Sequence, residues 1–477
     1  MIDTAVILAA GNGTRLREVS HGLPKPLVPL AGVPILVRII RAAQDAGIRR
    51  FVIVTGYEAD RLRQTIEEHP AVDADITWVH NPLYKTRSNG TSALAARHAV
   101  RGPFALLMAD HIFDVGTLRR LLRTPIRGGE CILAVDRKIA QVFDLDDATK
   151  VLAEDHAIRD IGKDLATYNA IDTGMFLCTP GLFEALDTAQ NDGDGKLSDA
   201  VRWLADRGRM HTFDIGDARW QDVDTPAMRR EAERRLGQAL RKATDGPISR
   251  MINRRISVPI SLMLARTRIT PDQISVFNLL LGIVAGLLFA STSYAVLVAA
   301  GILLQVASIL DGCDGEVARV TLRTSPHGQW MDTITDNISY VALLTGLIAG
   351  QFRREPTMLT LCTGLVAVAA ILTGLLVVYQ RLRAMGKGSL LDFKIPPGRL
   401  VDPLTARVFR LYEHLVPLIR RDIFAFGCFL LALANLPGVI FGLWVAGSVT
   451  FMIGVIHITS ERVQRQLTLV TAVTGEG

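Results

Sequence analysis

Two stretches, Ile274–Thr292 and Tyr294–Leu310, run without a single charged side chain. A helix of ~20 apolar residues matches the ~30 Å hydrocarbon core of a bilayer, and in lipid the backbone must satisfy its own polar groups. Further apolar runs lie near Ile338–Gln351, Met358–Tyr379, Ile423–Leu436 and Val439–His457, so residues 274–477 read as an all-α domain of six transmembrane helices. The third run is short unless it begins before Asp336. Up to Arg268 no such run occurs, and that change marks the main domain boundary.

Basic residues set an expected orientation. Arginines crowd before the first run, Arg381, Arg383 and Lys387 follow the fourth, Arg420 and Arg421 precede the fifth, and Arg462 follows the sixth. All fall on one side, taken as cytoplasmic with both termini; Arg353 and Arg354 are the exception. The net charge of +6 has the same source, in pairs such as Arg229-Arg230, Arg234-Arg235 and Arg254-Arg255 beside the apolar half. That placement favours an anionic lipid surface as partner, and the lack of aromatic-interleaved basic patches argues against nucleic acid. Between the halves, residues 237–273 read as a linker. Within it, Lys242–Arg268 mixes basic side chains with Ile248, Met251, Ile256 and Met263, as in an interfacial amphipathic helix, an ordinary surface helix being the other reading. The five cysteines are far apart and form no CxxC pair, which suits free thiols in a reducing compartment. The chain opens directly into Ala5-Val6-Ile7-Leu8, a buried-strand pattern, so no signal peptide is expected.

Residues 1–236 carry strand patterns at Thr4–Leu8, Arg50–Thr55, Ile76–Val79, Phe104–Ala109 and Cys131–Val135. Amphipathic stretches such as Ile35–Ala46 and Ala59–Glu68 separate them, which predicts an α/β, Rossmann-like domain with a mostly parallel sheet. Ligands of such sheets lie beyond the carboxyl ends of the strands. The first strand runs into Leu8-Ala9-Ala10-Gly11-Asn12-Gly13-Thr14-Arg15-Leu16, small residues whose N–H groups can cradle phosphate, with Arg15 adding a planar cation. The third glycine of a dinucleotide fingerprint is absent. Soon after, Pro24-Lys25-Pro26 presents a lysine between two stiff neighbours.

This LAAGxGxRL…PKPL pairing resembles the nucleotide-sugar pyrophosphorylase superfamily, nucleotidyltransferases acting on phosphorylated sugars and alcohols. The resemblance implies that Asp110, at the end of a central strand, binds Mg²⁺, and that Asn89-Gly90-Thr91 lines the base pocket. Gly162-Lys163-Asp164 and Ala170-Ile171-Asp172 resemble the alcohol-phosphate site of inositol-phosphate cytidylyltransferases, with Lys163 meeting the phosphate and Asp172 the alcohol. The run Trp220–Pro226 resembles the second metal motif, leaving open whether Asp222 or Asp224 is the ligand. His111 reads as a hydrogen-bonded structural histidine. The nucleophile is already a phosphate anion, so positioning and positive charge from Arg15, Lys25, Lys163 and Mg²⁺ suffice.

The second apolar run ends in Asp311-x-x-Asp314-Gly315-x-x-Ala318-Arg319, and after eight residues come Gly328, Asp332 and Asp336. Asp311 and Asp314 share a helical face, as do Asp332 and Asp336. Four aspartates beside a membrane are costly unless they hold cations, and facing carboxylates make an oxygen cage for divalent metal. The spacing matches the signature of the CDP-alcohol phosphatidyltransferase family. That resemblance implies a site holding Mg²⁺ (or Mn²⁺) and a CDP-alcohol, with Gly315, Ala318 and Arg319 beside the nucleotide, Asp336 as general base and a homodimeric assembly. Arg420 and Arg421 could bind an acceptor phosphate.

One half would make a CDP-alcohol from CTP and the other would consume it. The fusion resembles the inositol-phosphate cytidylyltransferase/di-myo-inositol-phosphate-phosphate synthase family, implying phosphorylated polyols as substrates. The alternative is a phospholipid-making transferase whose first domain activates another phosphoalcohol or serves as a regulatory nucleotide-binding module.

Overall fold

The computed structural model describes residues 2–11, 13, 15, 22–192, 194–242, 245–385 and 420–459, and the chain divides into two units, Met1–Leu236 and Gly237–Gly477. In the first, β1 (Thr4–Ala9), a short ladder of β2 (Pro29–Leu30) and β3 (Val33–Pro34), α1 (Ile35–Ala46), β4 (Arg50–Thr55), α2 (Ala59–Glu67), β5 (Asp75–His80), α3 (Asn89–Ala95), β6 (Phe104–Met108), β7 (His111–Phe113), α4 (Val115–Leu121) and β8 (Cys131–Asp136) follow the expected alternation. Then come β9 (Lys150–Glu154), β10 (Ala157–Gly162), β11 (Ala170–Cys178), α5 (Gly181–Asp192), α6 (Leu197–Ala205), β12 (Met210–Asp214), β13 (Trp220–Asp222) and α7 (Pro226–Ala239).

The strands β5, β4, β1 and β6 run parallel, as the alternation predicts. The complete sheet, however, has nine strands in the order β5-β4-β1-β6-β11-β8-β12-β10-β9 and is mixed, a correction to the mostly parallel sheet expected. The cause is the β9–β10 hairpin, turned at Asp155 and His156 with φ of 47° and 64°. Both β10 and β11 run antiparallel to β9, and β11 inserts antiparallel between β6 and β8. Antiparallel entry matters for the site: it puts the start of β11, with Asp172, at the sheet edge where β1 and β6 end. The separate ribbon of β7 and β13 pairs His111 with Asp222 at that edge.

The second unit is helical among the described residues. A π-helical turn at Ser249–Asn253 leads into α8 (Arg254–Leu264), followed by α9 (Pro271–Phe289), α10 (Tyr294–Val320), α11 (Pro326–Arg354), α12 (Met358–Met385), α13 (Arg421–Leu433) and α14 (Pro437–Thr459). Each predicted apolar run falls on one of α9 to α14. Four of them, α9, α10, α12 and α14, are long and apolar enough to cross a membrane. Helix α11 has the length, at 29 residues, but carries two aspartates, and α13 has only 13 residues.

Helix α9 starts where sequence rules place it, at a capping box of Thr270 and Gln273 with Pro271 in the first turn. It packs on α11 backbone to backbone: a Cβ on Gly286 would lie 2.5 Å from the Ala342 carbonyl oxygen, and one on Gly346 would strike the Gly286 carbonyl. Phe289, Leu297, Leu343 and Ala432 close the bundle core, while Leu287 and Leu359 point outward 69% and 74% exposed, as side chains facing lipid do. Helix α8 also turns Met263 outward and buries Ser257 and Ser261, the inverse of a soluble surface helix.

Two candidate active sites

At the sheet edge of the first unit two cavities share Ser88, Asn89, Met108 and Asp110. The smaller, of about 320 Å³, is lined by Leu8 and Ala9 at the end of β1, by Ala10 and Gly11 in the turn after it, and by Lys25. The larger, of about 900 Å³, is lined by Lys163, Asp172, Asp222 and Asp224. Gly13 has φ +58°, and a Cβ there would meet the Lys25 Cβ at 2.5 Å, so only glycine lets the turn close over this lysine. Thr14 lies outside the described residues.

Lys25 is the hub. Its ammonium binds the carboxylates of Asp110 and Asp224 and is itself mostly buried. Arg15 pairs with Asp224 at 2.6 Å and Asp147 at 2.5 Å, and Lys163 reaches the other oxygen of Asp147 at 2.6 Å. The cations expected to meet phosphates are thus gathered, held meanwhile by carboxylates. Burial pushes the Asp110 carboxyl up, but Lys25 and His111 outweigh it and hold it well below the usual carboxylate range. Burial raises Asp222, with His111 opposing, and raises Asp172, against the Gly174 N–H at 2.7 Å. Burial would lower the His111 imidazole, yet Asp110, Asp222 and Asp172 raise it.

Asn89 opens α3, its Oδ1 accepting from the Leu197 N–H at 3.1 Å. Gly90 and Thr91 are buried behind it and do not line either cavity; the Thr91 hydroxyl donates to the Ser88 carbonyl at 2.8 Å. One participant was not singled out from sequence, and a second was read only as a hydrogen-bonded structural residue. Asp147 sits in an ordinary Asp-Leu-Asp-Asp run that carries no motif. His111 has a more specific place than a structural histidine: Nδ1 lies 2.5 Å from Asp110, and the ring stacks on Trp220 with centroids 5.7 Å apart. The neighbouring Trp220–Pro226 motif could have pointed to that stack.

In the second unit, α10 and α11 bring Asp311, Asp332 and Asp336 together, each offering an oxygen within 4.8 Å of the others. Asp314 is turned aside: its oxygens accept from the Ser275 hydroxyl on α9 and the Gly315 N–H, both at 2.5 Å. Arg421, at the start of α13, pairs with Asp311 and, at 2.5 Å, with Asp336, its guanidinium 5.6 Å from the Tyr340 ring. Arg420 stands at the N-cap position of the same helix, with no side-chain capping bond. Gly315 and Arg319 are neighbours on α10, where an added Cβ would lie 3.3 Å from the guanidinium, and Ala318 is half-buried beside them. A cluster of hard carboxylate oxygens fits Mg²⁺ or Mn²⁺, and the Arg421 guanidinium meets two of its three carboxylates, offsetting part of their charge.

Residues 5–207 match the MobA-like NTP transferase domain family and residues 268–396 the CDP-alcohol phosphatidyltransferase family. Fold, cations and aspartates define an enzyme with two halves, a nucleotidyltransferase and a CDP-alcohol phosphotransferase. A bifunctional IPC transferase and DIPP synthase from Thermococcus kodakarensis is 39% identical over 346 residues, 72% of this chain and 75% of that one. Its counterpart from Rubrobacter xylanophilus is 38% identical over 80% of this chain and 83% of its own. The chain belongs to the family of bifunctional IPC transferases and DIPP synthases. A solved inositol-1-phosphate CTP transferase from T. maritima is 25% identical, with a TM-score of 0.44, over 48% of this chain and 91% of that one.

Proposed function

We propose that the chain converts CTP and inositol 1-phosphate to CDP-inositol and pyrophosphate, then transfers the phospho-inositol group to the hydroxyl of a second inositol phosphate, releasing CMP. The observation that carries this reading is the presence, in one chain, of two adjoining cavities that share Asp110, one lined by Lys25 and the other by Lys163, and of a cluster of Asp311, Asp332 and Asp336 met by Arg421.

In the first reaction an oxygen of the sugar phosphate attacks the α-phosphorus, and the bond to pyrophosphate breaks. The turn Leu8–Gly13 with Thr14 takes the triphosphate, Asn89 the base side with Gly90 and Thr91 packed behind it, and Lys163 and Asp172 the polyol phosphate. Lys25 and Arg15 exchange their carboxylate partners for phosphate oxygens, placing positive charge where negative charge develops. Asp110, with Asp222 or Asp224, would hold Mg²⁺.

In the second reaction the acceptor hydroxyl attacks the phosphorus bearing inositol, its proton passes to Asp336, and the bond to CMP breaks. Gly315, Ala318 and Arg319 flank the nucleotide, and Arg420 and Arg421 take the acceptor's phosphate. Asp311, Asp314, Asp332 and Asp336 would hold the divalent cations, which neutralise the diphosphate when bound. The same reading has α11 and α13 completing six spans, both termini and both sites on the cytoplasmic side, and a homodimer in an anionic bilayer.

The test is phosphorus NMR of the detergent-purified protein with CTP, Mg²⁺ and inositol 1-phosphate. CDP-inositol followed by CMP and a new phosphodiester is expected. Pyrophosphate without a phosphodiester would overturn the acceptor and turn the search to lipids; no turnover would remove inositol phosphate as substrate.

A further inference from the structure

The back of α10, opposite the aspartates, is polar where a membrane-facing bundle has least reason to be. Glu316 is completely buried there. Its carboxylate accepts from the Ser257 hydroxyl at 2.9 Å and the Ser261 hydroxyl at 2.6 Å, and it pairs with the Arg254 guanidinium, all from α8. Arg254 reaches it by crossing Gly312, where an added Cβ would collide with the guanidinium. The far side of Arg254 binds both oxygens of Asp245, at 2.9 and 3.1 Å. Further along, Asn253 accepts from Gln305 at 3.1 Å and donates toward Ser308. Residues 253, 257 and 261 against 305, 308, 312 and 316 form one continuous seam at helical spacing.

An apolar seam of similar volume would serve stability as well or better, because desolvation offsets most of the gain from a buried ion pair. A fully bonded carboxylate instead fixes rotation. Gly312 lies between Asp311 and Asp314, and Glu316 stands about 200° around the helix from Asp314. With carboxylates about 6 Å from the axis, a turn of ~10° moves Asp311 and Asp314 by about 1 Å. Displacement of that size costs roughly 10²-fold in rate at a preorganised centre.

We propose that Glu316 is the positioning residue of the transfer centre: clamped by Arg254, Ser257 and Ser261, it fixes the rotation of α10 and so sets Asp311 and Asp314 against Asp332 and Asp336. This rests on the reading of those four aspartates as the transfer centre. Arg254, Asp245 and α8 become a brace for the chemistry.

The test uses the full chain in detergent with CDP-inositol supplied. Glu316→Ala should lower the kcat of transfer by about 10²-fold while the KM for CDP-inositol stays within about two-fold, with CTP-dependent pyrophosphate release unchanged. The conservative Glu316→Gln, which leaves Arg254 with Asp245 and keeps a side chain of the same shape between Ser257 and Ser261, should hold kcat within about ten-fold of wild type, because the seam stays filled and hydrogen-bonded. A Mn²⁺ titration by electron paramagnetic resonance, in an Asp110→Ala, Asp224→Ala background, should show weaker binding in Glu316→Ala. A folded Glu316→Ala protein with wild-type kcat and Mn²⁺ affinity overturns the proposal, as does a loss of kcat no larger than the loss of folded protein. If the wild type transfers from no CDP-alcohol, the reading of the site falls, and the Mn²⁺ comparison alone decides the seam.

Discussion

Arg421 lends itself to a quantitative test, because it supplies the positive charge that the aspartate cluster needs. It pairs with Asp311 and Asp336, the three side chains being about a quarter exposed. Hydrogen bonds to charged groups contribute ~1.5–3 kcal/mol each, so two give ~3–6 kcal/mol before solvent screening. Partial exposure reduces that to about 2 kcal/mol. Arg421→Met removes it and leaves three carboxylates facing one another. The membrane unit should then melt about 4–8 °C lower in EDTA, at ~2–4 °C per kcal/mol for a unit of this size. A divalent cation at ~100 times its dissociation constant restores about 2.7 kcal/mol, enough to close the gap. In the wild type the same cation must first displace a guanidinium and should stabilise less. The assay is thermal unfolding by tryptophan fluorescence in detergent across a Mg²⁺ series, the first unit's transition being recognised by its shift with CTP. An unchanged melting temperature in EDTA, or a Mg²⁺ response smaller than the wild type's, would refute the reasoning.

Asp336→Asn should abolish transfer and leave pyrophosphate release intact, and Asp110→Ala should do the reverse when a CDP-alcohol is supplied; a folded variant lacking both activities would break the two-site scheme. Lys25→Met should lower pyrophosphate release by ~10²–10³-fold, the loss expected when a group that stabilises developing charge is removed, read by coupled phosphate detection. Glu231, bonded to Arg234 and Arg235, is held down to about 2 from the usual 4.5, although burial opposes this. A depressed carboxylate stabilises above its unfolded value and loses that contribution as pH falls through the folded one. Wild type and Glu231→Gln should therefore differ most in melting temperature near neutrality and converge toward pH 2.

The sequence was most legible where period and punctuation agree. The strands β1 and β4 and helix α1 fall at or within one residue of their predicted bounds, because apolar period and capping residues coincide there. The antiparallel half of the sheet was not legible: the turn at Asp155 and His156 carries no glycine, and pairing direction is a property of the connection. In the candidate sites, motif spacing singled out Lys25, Asp110 and the four aspartates, since the proposed chemistry fixes those types and intervals. It could not find Asp147 or Glu316, whose arginine partners lie 132 and 62 residues away in the chain. Nor could spacing show that Asp314 turns to Ser275 and away from its three companions.

Helix α10 is one unbroken rod of 27 residues, about 40 Å long at 1.5 Å per residue. Asp311 stands about 26 Å from its start at Tyr294, close to the full ~30 Å thickness of the hydrocarbon layer. On the proposed reading, with Tyr294 at the far face of the bilayer, the rod is a depth gauge that would hold the carboxylates where oil gives way to water. A soluble polyol phosphate arriving from the aqueous side and an alcohol floating in the leaflet would meet them at the same level. Depth alone cannot choose between two such acceptors; on the proposed reading the choice would fall to the cations beside the carboxylates, Arg420 and Arg421 among them.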